Sequence, residues 1–273
     1  MLNLGYHVSA SGGLWKAFER ASSVGCTTTQ IFASNPRTWS AIPISKDDAD
    51  NFISARKKHR INPVFVYMPY LPNLSSPNNE VYSKSVASLA SQADICSALG
   101  VSNLVVHLGS SMGTGTAEGA KRLAEALAQA KQDGVSFLLE NEAGQRNSVG
   151  STIDELALLL DLAGKHNAYL CIDTCHAFAA GYDIGNAEFI ESLDSAVGVE
   201  NIKLIHMNDA KYPIGSHRDR HSCIGYGCIG KESISRFVSD KRIAKIPMVM
   251  ETPYPDERFQ VKELRLVQSL ESH

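Results

Sequence analysis

Residues 102–108 read SNLVVHL, 135–140 VSFLLE, 168–173 AYLCID and 201–207 NIKLIHM. Each is a short apolar or β-branched run, the pattern of a buried strand. The apolar stretches close on His107, Glu140, Asp173 and His206, each thirty-three residues after the one before. That interval is the length of one strand, its returning helix and their loops. Working outward, four more runs appear: LNLGYHV near residue 3, TTQIFA near 28, NPVFVY near 62 and IPMVMET near 246. Between the runs lie amphipathic segments. From Tyr82 to Gly100, the residues Val86, Leu89, Ala93, Cys96 and Leu99 recur at helical spacing, with Gly100 where a C-terminal cap falls. The helix after residue 150 is expected to open on a capping box made by Ser151 and Asp154.

Eight strand–helix alternations predict an α/β fold with a parallel sheet, because each helix returns the chain to the same end. Eight is the number that closes into a (β/α)8 barrel. An open doubly wound sheet is the alternative, but the first strand lacks the Gly-x-Gly-x-x-Gly turn. The 273 residues, 44% hydrophobic, suit one such domain over 1–273. The net charge of -3 exerts no bulk pull on nucleic acid, so any such binding needs a local patch or bound cations. No run approaches a membrane span, and the N-terminal stretch lacks signal-peptide grammar. Cys26, Cys96, Cys171, Cys175, Cys223 and Cys228 are scattered, so an intracellular protein with free thiols is expected.

In a barrel the C-terminal strand ends stand around one mouth. His7, His107, Glu140, Asp173, His206 and Glu251 occupy those ends, a His and carboxylate set suited to zinc and similar divalent ions. His176 follows Asp173 by three residues, and Asp219 and His221 stand two apart in HRDRH. Any one of these could be a hydrogen-bonded core histidine or a helix cap. Together, unpaired, they would bury several like charges, which bound cations relieve. His7 reads equally as a ligand or as a residue behind the ligands. Cys171 is expected to point inward one layer deeper, as packing.

The blocks HVSASGG (7–13), ENEAGQ (140–145), CIDTCHAFAAGYD (171–183), HMNDAK (206–211), DRH (219–221) and ET (251–252) resemble the endonuclease IV family of apurinic/apyrimidinic endonucleases. The resemblance runs from the first strand to the last. It implies a xylose-isomerase-like TIM barrel with up to three zinc ions, manganese being an alternative. It implies cleavage of duplex DNA 5′ to an abasic site, leaving a 3′-hydroxyl and a 5′ abasic sugar phosphate. Glu140 would bridge two metals. Asp173, His206 and Glu251 would complete the second site, and His176, Asp219 and His221 would form the third. His107 would serve the first. Glu140 and Glu251 would also hold and orient the attacking water. At the position of a further His ligand to the first metal, the stretch VFVYMPYLPNL places Tyr67. Tyr67 is then a phenolate ligand, or water replaces the missing His, or the first site is weak or empty; the last two are favoured.

By the same resemblance Arg37, Tyr70 and Leu71 enter the minor groove and fill the gap beside an extruded abasic nucleotide. Lys211, Arg218 and Arg220 are candidates for phosphate contacts, or simply solvated charges. Tyr70 and Trp39 could instead pack beneath loops. The expected partner is abasic duplex DNA, bound by a monomer in the cytoplasm. The rival reading is a metal-dependent sugar isomerase or epimerase on the same barrel, which needs neither a third metal nor protruding wedges. A metal-dependent DNA-binding protein without activity is a third.

Overall fold

The computed structural model describes residues 1–39 and 43–271. Its strands are β1 (Leu4–His7), β2 (Thr28–Ile31), β3 (Val64–Tyr67), β4 (Asn103–His107), β5 (Ser136–Glu140), β6 (Ala168–Asp173), β7 (Ile202–His206), β8 (Asp209–Ala210), β9 (His221–Ser222) and β10 (Met248–Met250). The helices are α1 (Lys16–Ser23), α2 (Lys46–His59), α3 (Asn79–Ala98), α4 (Thr116–Gln129), α5 (Ile153–Ala163), α6 (Thr174–Ala180), α7 (Ala187–Val197), α8 (Gly230–Ser239) and α9 (Glu257–Leu270). Eight strands close into a parallel barrel in the order β1-β10-β7-β6-β5-β4-β3-β2, while β8 and β9 pair as a small antiparallel hairpin. All eight runs found in the sequence are barrel strands.

Two-residue alternation sorts each strand. Val64, Val66, Leu104, Val106, Phe137, Leu139 and Ile205 face the helices in the outer core. Phe65, Tyr67, Val105, Leu138, Cys171, Leu204 and Val249 pack together as the interior core, as expected for Cys171. Two residues beyond each interior apolar residue, the next inward position reaches the mouth. This yields Tyr67 after Phe65, His107 after Val105, Glu140 after Leu138, Asp173 after Cys171, His206 after Leu204 and Glu251 after Val249. The apolar layer closes the barrel floor, and the ionisable layer rests on it. On β1, a side chain at Gly5 would run into the carbonyl oxygen of Thr28, so only glycine permits that close strand pairing.

α3 starts at Asn79, three residues ahead of the expected Tyr82, because Asn78 caps it by accepting from the backbone N–H groups of Glu80 and Val81. Leu89, Ala93, Cys96 and Leu99 are buried as the spacing required, and Gly100 follows with φ 62°. The capping box of α5 is Thr152 with Glu155, not Ser151 with Asp154. The reciprocal bond has to span from the third helical residue back to the cap, and Glu has the reach that Asp lacks. Glu155 also accepts from the Ser151 backbone N–H at 2.7 Å.

The mouth is braced from outside by Glu263 on α9. Its buried carboxylate accepts from the Tyr6 hydroxyl, from the Thr252 hydroxyl at 2.6 Å and from the Ile224 N–H at 2.6 Å. Those contacts tie α9 to the residue after Glu251 and to the loop after His221. No helix among the described residues is long and apolar enough to cross a membrane.

Candidate metal centre at the barrel mouth

Two ligand groups converge at the mouth. In the first, one ligand atom each from Glu140, Asp173, His206 and Glu251 lies within 4.8 Å of the others. His206 Nδ1 is 2.6 Å from Glu140 Oε1, 3.5 Å from Glu251 Oε2 and 3.9 Å from Asp173 Oδ2. Beside it, Asp173, His176 and His221 form a second such group, and Asp219 Oδ1 stands 3.3 Å from His176 Nε2 and 3.4 Å from His221 Nε2. A tetrahedral zinc ion with bonds of ~2.0–2.1 Å would set its ligand atoms ~3.3–3.4 Å apart, a spacing that the two Asp219 distances match. His221 Nε2 is buried without a hydrogen-bond partner, an atom aimed at something a cation would satisfy.

Local structure explains the sequence spacings. Asp173 ends β6 and caps α6, its Oδ1 accepting from the His176 N–H at 2.8 Å. The cap bond places His176 in the first helical turn, directly over the mouth. His176 Nδ1 stands 2.8 Å from the Asn141 carbonyl oxygen, which makes it the N–H end and turns Nε2 toward Asp219. His221 Nδ1 likewise faces the Glu251 carbonyl oxygen at 3.3 Å. The β8–β9 hairpin carries Asp219 and His221 back over the barrel. At its base the Asp209 carboxylate accepts from the N–H groups of Gly225, Gly227 and Ile229 at 2.9–3.0 Å.

The third expected position differs. The Tyr67 hydroxyl donates to Glu140 Oε2 and lies 3.2 Å from His107 Nδ1. Its ring is 4% exposed and stacks on Phe32 at 5.6 Å with planes 4° apart. Burial, then the charges of Glu140 and Glu251, push the phenol well above its usual pKa. The hydroxyl therefore stands, still protonated, beside the two groups that would hold a first metal. His107 joins neither ligand group, and its Nε2 is buried and unpartnered. Candidate donor groups stand at two positions, and at the third the Tyr67 hydroxyl occupies Glu140 where an imidazole was expected.

His7 lies behind the ligands, its Nδ1 3.0 Å from Glu251 Oε1. Three residues escaped the sequence reading. Gln30 is wholly buried and contacts His206, Glu251 and His7. Asn208 donates to Asp173 Oδ2 at 2.7 Å and accepts from the Glu251 N–H. Glu142 lines the mouth, its carboxyl raised to about 7 by burial and by Glu140 and Asp219, against the pull of His176. Strand alternation carries a signal for Gln30, the inward residue of β2. Asn208 falls within the HMNDAK block, but no period or spacing singles it out there.

Charges balance within the cluster. Burial opposes protonation of His176 and His206, yet both are held well above the usual imidazole value. Asp173, Asp219 and Glu140 do this for His176; Cys171, Glu251 and Glu140 do it for His206. Burial would raise Asp219, but the His176 bond and charge hold it at about 2. Without metal, protons on the imidazoles neutralise the carboxylates. Metal must displace those protons, so affinity falls as pH falls. Zinc loading at pH 7 should release roughly two protons, one each from His176 and His206. Calorimetry in two buffers of different ionisation heat measures this; an identical heat in both would contradict it.

A cavity of about 390 Å³ opens above the cluster, with Tyr70 and Tyr254 on its walls. Tyr70 and Leu71 are 59% and 41% exposed on the loop after β3. The Tyr70 N–H donates to the Pro36 carbonyl at 3.1 Å, joining that loop to the one bearing exposed Arg37. Lys211 and Arg220 are exposed neighbours on the hairpin, the Lys211 N–H donating to the Arg220 carbonyl at 2.9 Å. The structure thus brings all the expected metal ligands except His107 into overlapping groups that could hold a metal, and sets Arg37, Tyr70, Leu71, Lys211 and Arg220 on loops around them.

Residues 18–271 match a family model described as xylose isomerase-like TIM barrel, which is the class that this barrel and its metal-ligating mouth define. A D-tagatose 3-epimerase-like protein shares that fold with a TM-score of 0.73 at 19% identity, over 97% of this chain and 96% of its own. Other relatives are nearer. A probable endonuclease 4 of Cenarchaeum symbiosum is 42% identical over 278 residues, covering 98% of this chain and 99% of its own length. One from Methanoculleus marisnigri is 39% identical, covering 99% of each. The crystal structure of endonuclease IV from Thermus thermophilus superposes with a TM-score of 0.88 at 32% identity, covering 98% of both chains. This chain belongs to the endonuclease IV family of apurinic/apyrimidinic endonucleases.

Proposed function

We infer that the chain is a metal-dependent apurinic/apyrimidinic endonuclease of base excision repair. It hydrolyses the phosphodiester 5′ to an abasic site in duplex DNA, leaving a 3′-hydroxyl and a 5′ abasic sugar phosphate. The observation that carries this reading is the clustering of His176, His221 and Asp219 about Asp173, beside the Glu140–Asp173–His206–Glu251 group, at a mouth rimmed by exposed Tyr70, Leu71 and Arg37.

His and carboxylate donors favour zinc, with manganese able to substitute. We assign two ions, one to each group, and none to the position where the Tyr67 hydroxyl holds Glu140. Bound there, such ions would supply hydroxide near neutral pH and neutralise charge on the phosphate and the departing oxygen. The chain's own residues do the rest. Glu140 and Glu251 orient the attacking water through the oxygens they present at the mouth. Tyr70 and Leu71 wedge into the duplex at the abasic nucleotide, where little stacking is lost, while Arg37 occupies the minor groove. Lys211 and Arg220 contact backbone phosphates and offset the acidic net charge locally. Residues 1–273 act as one domain, as a monomer inside the cell.

The test is incubation of metal-analysed protein with a duplex bearing one abasic analogue, read by the size and end chemistry of the products. A single incision 5′ to the lesion is expected. Turnover of a ketose without incision would instead establish the isomerase reading.

A further inference from the structure

Gln30 lies at the third residue of β2, fully buried, with its side chain inside the barrel. Its Nε2 is 2.7 Å from Glu251 Oε1 and 3.0 Å from His7 Nδ1, and its Oε1 is 2.8 Å from His206 Nε2. The direction of this amide is determined by its partners. An ionised Glu251 only accepts, so the NH2 end must face it. The carbonyl end is left for His206, and a carbonyl only accepts, so His206 Nε2 must carry hydrogen. On the neutral, metal-bound ring the lone pair of His206 would then belong to Nδ1, the atom that faces Glu140, Asp173 and Glu251. On Glu251 the same amide and His7 engage Oε1, which leaves Oε2 for the shared centre.

We propose that Gln30 is a positioning residue for the ion held by Glu140, Asp173, His206 and Glu251: it selects Nδ1 of His206 and Oε2 of Glu251 as the donor atoms. One buried amide on β2 thus orients ligands on β7 and at the end of β10. The other group is built differently. His176 and His221 are each oriented by a main-chain carbonyl, of Asn141 and Glu251 respectively. No side-chain substitution removes those acceptors. The two ions therefore depend on Gln30 unequally, and its replacement separates them.

The inference rests on the two-ion reading above, and two variants test it. Gln30→Met keeps an unbranched side chain of similar length and removes all three polar contacts. Gln30→Glu keeps an acceptor for His206 but places a second carboxylate against Glu251. Zinc affinities are read by competition with a chromophoric chelator and native mass spectrometry of the folded protein. The zinc-loaded His206 tautomer is read by nitrogen NMR of labelled histidine. In Gln30→Met, one of the two ions should bind about 10–100-fold more weakly while the other keeps its wild-type affinity, as for other groups that orient a ligand. In Gln30→Glu that ion should also weaken, while His206 stays protonated on Nε2 because its acceptor survives. Unchanged affinity for both ions in Gln30→Met, equal weakening of both ions in both variants, or a wild-type His206 bound through Nε2 would overturn the inference. Wild-type protein that binds no ion at all would overturn the two-ion reading instead.

Discussion

Asp219→Ala should leave one bound zinc per chain in place of two and lower the single-turnover rate of abasic-site incision by on the order of a thousandfold. That factor corresponds to the several kcal/mol a bound divalent ion contributes to charge stabilisation in the transition state. Asp219 is the atom-level centre of its group: its Oδ1 is the point that both His176 Nε2 and His221 Nε2 face. Without it, two neutral donors remain. They bind zinc far less tightly, because the anionic ligand that offsets the ion's charge is gone. The residue sits in an exposed part of the hairpin, so the barrel should fold as before. Bound metal by mass spectrometry and incision of a labelled abasic duplex read the two effects independently. Two retained ions with a rate within tenfold of wild type would remove this group from the mechanism.

Tyr67→His should raise the metal content from two ions to three. The phenol now donates to Glu140 Oε2 and stands beside His107 Nδ1, so it holds the two groups that an ion there would need. An imidazole is shorter and can ligate without losing a proton from a neutral donor, whereas a phenol must first ionise beside Glu140 and Glu251. Incision should rise by about tenfold, since one further cation would neutralise the phosphate. Loss of the Phe32 stack makes the variant less stable by ~1–3 kcal/mol, which urea unfolding would register. The wild-type protein offers the converse measurement. Zinc addition should produce no tyrosinate ultraviolet difference band. A third ion in wild type, accompanied by that band, would make Tyr67 a ligand.

Much of this is legible in the sequence. The thirty-three-residue interval and the two-residue alternation are chain-local properties, and together they require a barrel whose inward strand ends meet. His107, Glu140, Asp173 and His206 fall at the last residue of their strands for that reason. The Asp-x-x-His spacing of Asp173 and His176 was likewise local, set by a helix cap. The α5 cap shows the limit of such reasoning: Ser151 and Thr152 are adjacent candidates, and only the reach of Glu155 chooses between them.

The sequence by itself determined the barrel, the ring of donors at its mouth and the absence of an imidazole at position 67. The tertiary structure alone decided how those donors divide. Which atoms lie about 3.3 Å apart, that His107 is left outside both groups, and that Gln30 reaches across the barrel to set the face of His206 all depend on side chains from strands far apart in sequence. A strand's period says which way a side chain points. It carries no information about the rotamer or tautomer that its neighbours across the barrel impose.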